Sequence, residues 1–375
     1  MGRLARLLLV VAVTWCLGAA AAEAQRAPVM RAYLDVAASY RAGTLRGEPV
    51  SKLRHWPLLE VENAVKALAR SAPRISEPPL PGAGSAWIDA RVAEAAVMMH
   101  AEAALLALAE RSSVEAQVHA EAAGTLLEAI QAEAAARRRK ARLEQSAPPP
   151  LRPRLDRGRF YAALAEGCHS VGDPWLADEI ATRGLRAEPT DARLLHVGGC
   201  VKETLMVLRG VERKPGEAEE ARRAAEKLLR DTLAVAPDNP DARLRLARVL
   251  VDQDRLVEAQ PLLEAVTRAD DSSLRYLGWL FLGRLHHRRQ AWNEAADAYA
   301  QAMREQPQNQ AARFGLAALL EQQSGPAAAR PLLLTTLSLS EHADRQGDPW
   351  WSYPLGPLGM AAGLLDELTK QVRAP

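Results

Sequence analysis

The chain has 375 residues, 48% apolar and 25% charged, with a formal net charge of +2. That length holds more than one packing unit and a sizeable core. The near-neutral balance offers no clustered basic face, so nucleic acids and other polyanions are not expected partners.

The first residues have the order of a secretory leader. Arg3 and Arg6 are followed by the apolar run from Leu7 to Leu17, and Ala22 and Ala24 put small residues where a signal peptidase needs them. Residues 1–24 are therefore expected to be a cleaved signal peptide, and the mature chain to be exported, periplasmic or secreted, with no stable membrane insertion. A retained anchor is the alternative, but the run is short for a span. No other stretch approaches spanning length. Cys16 follows Trp15, where a lipobox would carry a small residue. Without the leader only Cys168 and Cys200 remain. In an oxidising compartment they are a candidate disulfide, with buried unpaired thiols as the alternative. His169 and His196 lie near enough to raise a Cys/His metal site, which lacks the usual close cysteine pairs.

Residues 25–145 read as a helical N-terminal region. Tyr33, Val36, Ala37 and Tyr40 have helical spacing, and Leu58–Arg70 is a candidate partner helix. Two long helices are expected near Ser85–Glu110 and Ser113–Arg139, turning at Arg111 and paired closely through alanine. His100, Glu102, His119 and Glu121 sit on them, but each His and Glu are two apart and point to different sides. A core stripe with one polar edge is expected, and a metal-dependent enzyme centred on this hairpin is an alternative. The basic run Arg137–Arg142 ends the second helix, where cations suit the dipole. Residues 146–154, with four prolines, form a stiff linker.

Residues 155–343 carry a repeat. Its clearest unit runs from Tyr276 to Asn309: Trp279, Leu282, Gly283 and His286 on one helix, Ala295, Tyr299 and Ala302 on the next, then Pro307. Small residues let the two helices approach, the aromatic residues fill the space between, and proline ends the second. Gly158–Asp191, Pro240–Ser273 and Gln310–Ala343 repeat it more loosely, and Thr190–Pro237 holds an expanded unit. The pattern resembles the tetratricopeptide repeat, with His286 in place of the usual tyrosine. The resemblance implies an all-α solenoid of helix-turn-helix units, five pairs between Leu155 and Ala343. It also implies a concave groove, lined by first helices, that binds a protein or peptide partner. Groove-facing places map onto Arg248, Arg284, His287, Arg288 and Phe314, with Leu244 and Leu280 as apolar neighbours. Arginine grips carboxylates in a bidentate way, so an acidic or C-terminal peptide is the expected ligand.

Residues 344–375 hold an aromatic segment and an expected capping helix. The tetrapeptide GDPW occurs at Gly172–Trp175 and again at Gly347–Trp350. In both copies glycine ends one helix, aspartate caps the next and proline fits its first turn. Trp175 is expected to face back into its pair. Trp350, Trp351 and Tyr353 are expected to plug the last helical pair, with an exposed ligand site as the alternative. The chain is also similar to exported bacterial repeat proteins ending in DPWW-x-Y-x-x-G, here Asp348–Gly356. There is no glycine-rich phosphate loop, HExxH, GxSxG or CxxCH. No catalytic, cofactor or metal residues are assigned. The function expected is a non-enzymatic, exported scaffold for protein–protein interaction. A cell-envelope assembly or glycan-associated factor using the C-terminal tryptophans is the alternative.

Overall fold

The structure is a computed structural model, and it describes residues 36, 37, 40, 65, 66, 90–144, 155–340, 348–355 and 367–371. The proposed leader, the proline-rich linker and Leu358–Leu365 lie outside them. The chain divides into two compact units, Met1–Asp156 with Asp366–Pro375, and Arg157–Leu365. Among the described residues every regular element is helical.

In the first unit, α1 (Ala90–Ala109) pairs with α2 (Ser113–Leu143). The turn at Glu110–Ser112 is closed by Arg111 at a φ of 64°. Buried alanines on both helices allow the close approach. Val92–Ala109 is long and apolar enough to cross a membrane, which the sequence reading overlooked. Within the protein 72% of it is buried, the state of a core helix. His100 and His119 meet across the pair, Nδ1 to Nδ1 at 2.9 Å. Glu102 accepts a hydrogen bond from the Tyr40 hydroxyl at 2.7 Å, and Glu121 is exposed. The four residues therefore do not converge on one site. Residues 367–371 are helical, bury Leu368 and Thr369, and group with this unit.

The second unit is built from five helical pairs: α3 (Arg157–Ser170) with α4 (Pro174–Ala187), α5 (Ala192–Val211) with α6 (Pro215–Val235), α7 (Pro240–Asp252) with α8 (Leu256–Val266), α9 (Ser272–Arg288) with α10 (Trp292–Glu305), and α11 (Ala311–Ser324) with α12 (Pro326–Ser340). The expanded second unit is absorbed by longer helices, 20 and 21 residues in α5 and α6. The first helices α3, α5, α7, α9 and α11 pack side by side as one layer.

Local chemistry explains where the helices start. Asp173, Asp191, Asn239 and Asp271 each accept a backbone N–H from the first turn of the helix that follows. Proline stands at the first position of α4, α6, α7 and α12, where no N–H is needed. Gly172 takes a φ of 99°, which ends α3 as the GDPW reading expects. Trp175 does not turn into its pair; it is 45% exposed. Close packing between pairs centres on Tyr299. A Cβ at Gly283 would stand 2.7 Å from the Tyr299 ring, and one at Gly315 would stand 2.6 Å from it. The ring lies between two glycines of successive first helices, which explains its near-complete burial at 1% exposure.

Candidate peptide groove

The layer of first helices is crossed by the chain's own C-terminal segment. Asp348 is followed by a short helix, α13 (Pro349–Ser352), and a 3-10 turn at Tyr353–Leu355. Asp348 caps α13 through Trp350 N–H at 3.0 Å, as its sequence predicts. Its other oxygen accepts from the backbone N–H groups of Gln310 and Ala311, at 3.0 and 3.2 Å. Gln310 gives α11 no side-chain cap of its own. Asp348 supplies that cap from 37 residues away, and the Tyr276 hydroxyl also faces it at 3.4 Å. Burial, then the Asp348 charge, push the Tyr276 hydroxyl to a higher pKa.

Trp350 lies next, on α9. Its ring centroid is 5.8 Å from that of Phe281, and the Arg284 guanidinium lies 5.5 Å from it. Tyr353 reaches α7 and α5. Arg245 sits 4.4 Å over its ring and donates to its carbonyl oxygen at 3.0 Å, and its hydroxyl donates to Glu203. The carbonyl of Pro354 accepts from Thr204 at 3.0 Å, and Thr204 in turn meets His169 of α3 at 2.9 Å. The segment thus runs from α11 through α9 and α7 to α5, opposite to the order of the repeats. The expected plug exists, but it covers the inner layer of earlier pairs and not the end of the last one. Phe281 and Arg245 offer the aromatic side chains flat partners along the layer. The side chain of Trp351 lies outside the description.

Beneath Tyr353 is a buried charged cluster. Glu203, 1% exposed, accepts from Arg245 at 2.8 Å and from Arg248 at 2.6 Å. Arg245 is fully buried and also donates to Asp241 at 3.0 Å. Asp241 meets His196 at 2.9 Å. Burial opposes ionisation of Asp241, but Arg245 and His196 outweigh it and hold its carboxyl at about 2. Glu166 is the opposite case. Burial first, then the Asp241 charge, raise it to about 7, and its Oε1 has no hydrogen-bond partner among the described residues. His169 is pushed down to about 4, by burial and then by Arg245. Two carboxylates facing two arginines, with one carboxyl held near neutrality, make a balanced core.

In the structure Cys168 and Cys200 are both buried free thiols. The Cys200 sulfur faces His196 and Asp241, all three donor atoms lying within 4.8 Å of one another. Metal binding fits poorly there. The same Asp241 oxygen already accepts from His196 and from the fixed cation of Arg245. Burial foremost pushes the Cys168 thiol to about 12 and raises that of Cys200 as well.

Beside Trp350 the layer stays open as a cavity of about 620 Å³. All five groove residues mapped from the sequence line it: Arg248 from α7, Arg284, His287 and Arg288 from α9, and Phe314 from α11. Leu280 lines it too, whereas Leu244 is fully buried in the core. Arg248 is committed to Glu203, and Arg288 donates to the carbonyl of Val251. Arg284 makes no ion pair among the described residues, and burial followed by Arg248 lowers its pKa. Among the described residues Asp252 is the one carboxylate on the lining, against three arginines. Sequence reasoning missed Glu203, Asp241, Arg245 and Asp348 as parts of this surface. The signal available was the pair of charges placed on the packed faces of first helices, where a solvated residue has no room.

No curated protein matches the chain in sequence. Among solved structures, MamA 41-end from Desulfovibrio magneticus RS-1 is 20% identical, with 51% of this chain and 99% of that chain covered, at a TM-score of 0.40. MamA MSR-1 C2 is 21% identical over 50% and 98% of the two chains, at 0.38. A further MamA crystal structure is 14% identical over 49% and 92%, at 0.39. Residues 217–278, which run from α6 into α9, match the family model for the tetratricopeptide repeat. Five consecutive pairs among the described residues carry the same helix-turn-helix plan, and the stretch that matches the tetratricopeptide repeat model lies within them.

Proposed function

We propose that the chain is an exported, non-enzymatic scaffold that binds a protein partner through an acidic segment held in the cavity between α7, α9 and α11. One observation carries the reading: Arg284 lies at a preformed cavity beside Arg248 and Arg288, with no ion pair of its own among the described residues. A carboxylate entering there would gain charge-assisted hydrogen bonds, and the aromatic walls of Phe314 and Trp350 would hold the adjoining side chains. A groove already formed by packed helices loses little conformational entropy on binding. Repeat scaffolds bind protein partners in this way, and the leader-like sequence of residues 1–24 supports an address outside the cytoplasm.

The test is titration of a fluorophore-labelled peptide of aspartate and glutamate, with a free C-terminus, against the full chain and Arg284→Glu. Saturable binding that weakens with salt and is lost in the variant supports the reading. Equal binding to both forms overturns it. Fractionation of expressing cells, with N-terminal sequencing, tests export; a mature chain starting at Gln25 is expected.

A further inference from the structure

We infer that the inner layer from α5 to α11 is a peptide-reading groove whose ligand in trans carries the chemistry of the chain's own Asp348–Pro354: a carboxylate, a large aromatic residue two positions on, and a tyrosine three beyond that. The inference rests on the scaffold reading above and extends it from the open cavity to the covered part of the layer.

The segment behaves as a docked peptide. It adds no helix to a repeat pair, and its partners stand 37 to 150 residues away in sequence. Each of its distinctive side chains meets a feature the repeats already possess. The carboxylate of Asp348 caps α11, whose N-terminus presents N–H groups and the positive end of a dipole. Trp350 lies against Phe281 with Arg284 beside it. The Tyr353 hydroxyl meets Glu203, and its ring lies under Arg245. Between these positions the groove grips main-chain carbonyls, through Arg245 and Thr204, which any sequence supplies. Side chains therefore set specificity at three positions and backbone sets direction.

The first helices contact one another directly, and each pair packs on the next. The tethered segment competes at a high effective concentration, so a ligand in trans meets a site that is largely filled. A protein segment with the same Asp-x-aromatic-x-x-Tyr order is the occupant that the groove's charges and rings favour. A second copy of this chain would offer the same segment, and exchange between copies would appear as a dimer.

The experiment uses a labelled synthetic peptide, GDPWWSYPL, and the full chain. Asp348→Ala removes the carboxylate with which the tethered segment caps α11 and leaves the groove itself unaltered, so it loosens the tethered segment without weakening the site for a peptide in trans. Binding of the peptide to Asp348→Ala at least about tenfold tighter than to the unaltered chain is expected, because the filled fraction falls while the peptide keeps the aspartate that caps α11. A peptide with alanine at the aspartate, the first tryptophan and the tyrosine should not bind. A parallel measurement needs no variant: excess GDPWWSYPL should speed amide exchange across 348–355 in the unaltered chain, and light scattering should show a monomer throughout. No saturable binding to either form, or equal binding of the alanine peptide, overturns the inference, as does unchanged exchange at saturating peptide. A dimer that dissociates on adding the peptide assigns the groove to a second copy instead of a foreign partner. Should this peptide fail while the acidic peptide binds the Arg284 cavity, the inference falls and the scaffold reading stands. The reverse result keeps the groove and removes the acidic-cavity reading.

Discussion

Tyr353 donates its hydroxyl hydrogen to Glu203, 150 residues earlier in the chain. Both groups are buried, at 2% and 1% exposure. Glu203 keeps Arg245 and Arg248 when the hydroxyl is removed. Tyr353→Phe should therefore cost only about 2 kcal/mol, the range of a hydrogen bond to a charged group. Urea unfolding with an unchanged slope would check it. A loss near zero would mean that the hydroxyl does not bond the carboxylate in solution.

Removing the cation between the two carboxylates should be worse. Arg245→Ala leaves Asp241 and Glu203 buried with their main partner gone, and breaking such a pair costs about 3–5 kcal/mol. Adding Asp241→Asn to Arg245→Ala removes the carboxylate that has lost its cation, whereas Glu203 keeps Arg248, and should recover part of the loss. Four-way urea unfolding of the single and double variants measures the coupling. Additive losses would refute the network.

Glu166 gives the fold a pH response of definite sign. Its folded-state pKa of about 7 exceeds the ordinary 4.5, so the native state holds the proton more tightly. The stabilisation is fully present below the unfolded pKa and is lost as pH rises through about 7. His169 works the other way: held down to about 4, it loses stability as pH falls below 6.5. Glu166→Gln removes the first response and leaves the second. The stability of the parent relative to this variant should fall by about 3 kcal/mol between pH 4.5 and pH 8. Urea midpoints at the two pH values check it, and a constant difference would count against a raised Glu166.

The repeat was legible because its causes are local. Asp or Asn before proline starts helices, small residues at fixed spacing let helices approach, and Gly283 and Tyr299 were visible as a packing pair. Arg248, Arg284, His287, Arg288 and Phe314 could be mapped to one surface because first helices share a register, and all five line one cavity. The path of Asp348–Leu355 was not legible. It has no period, and its contacts join residues up to 150 positions apart. The charged cluster was hidden for a related reason. Glu203 and Arg245 belong to no motif in the sequence, and only side-by-side packing of α5 and α7 brings them together. The cysteines occupy neighbouring first helices as expected, yet the Cys200 sulfur faces His196 and Asp241.

Those thiols should be silent in the native protein. Cys168 is raised to about 12 and Cys200 is raised too, both chiefly by burial, and the thiolate is the reactive form. A thiol reagent at pH 8 should label neither until the chain is unfolded, and then label both. Peptide mapping after alkylation without reductant locates them. A bonded pair found by that mapping would contradict the free thiols of the structure.

The contact of Tyr299 with two glycines gives the sharpest packing test. Alanine in a helix is favoured over glycine by about 1 kcal/mol, so Gly283→Ala would stabilise an open position. Here the new methyl would stand 2.7 Å from the Tyr299 ring, which Gly315 confines from the other side at 2.6 Å. The ring cannot retreat without striking the next helix, and overpacking of this kind costs about 1–3 kcal/mol. Gly283→Ala should therefore lower the melting temperature despite its better helix propensity. Tyr299→Leu frees the space the methyl needs, at the cost of a cavity. In that background the same Gly283→Ala change should become neutral or stabilising. Destabilisation of equal size in both backgrounds would place the clash elsewhere.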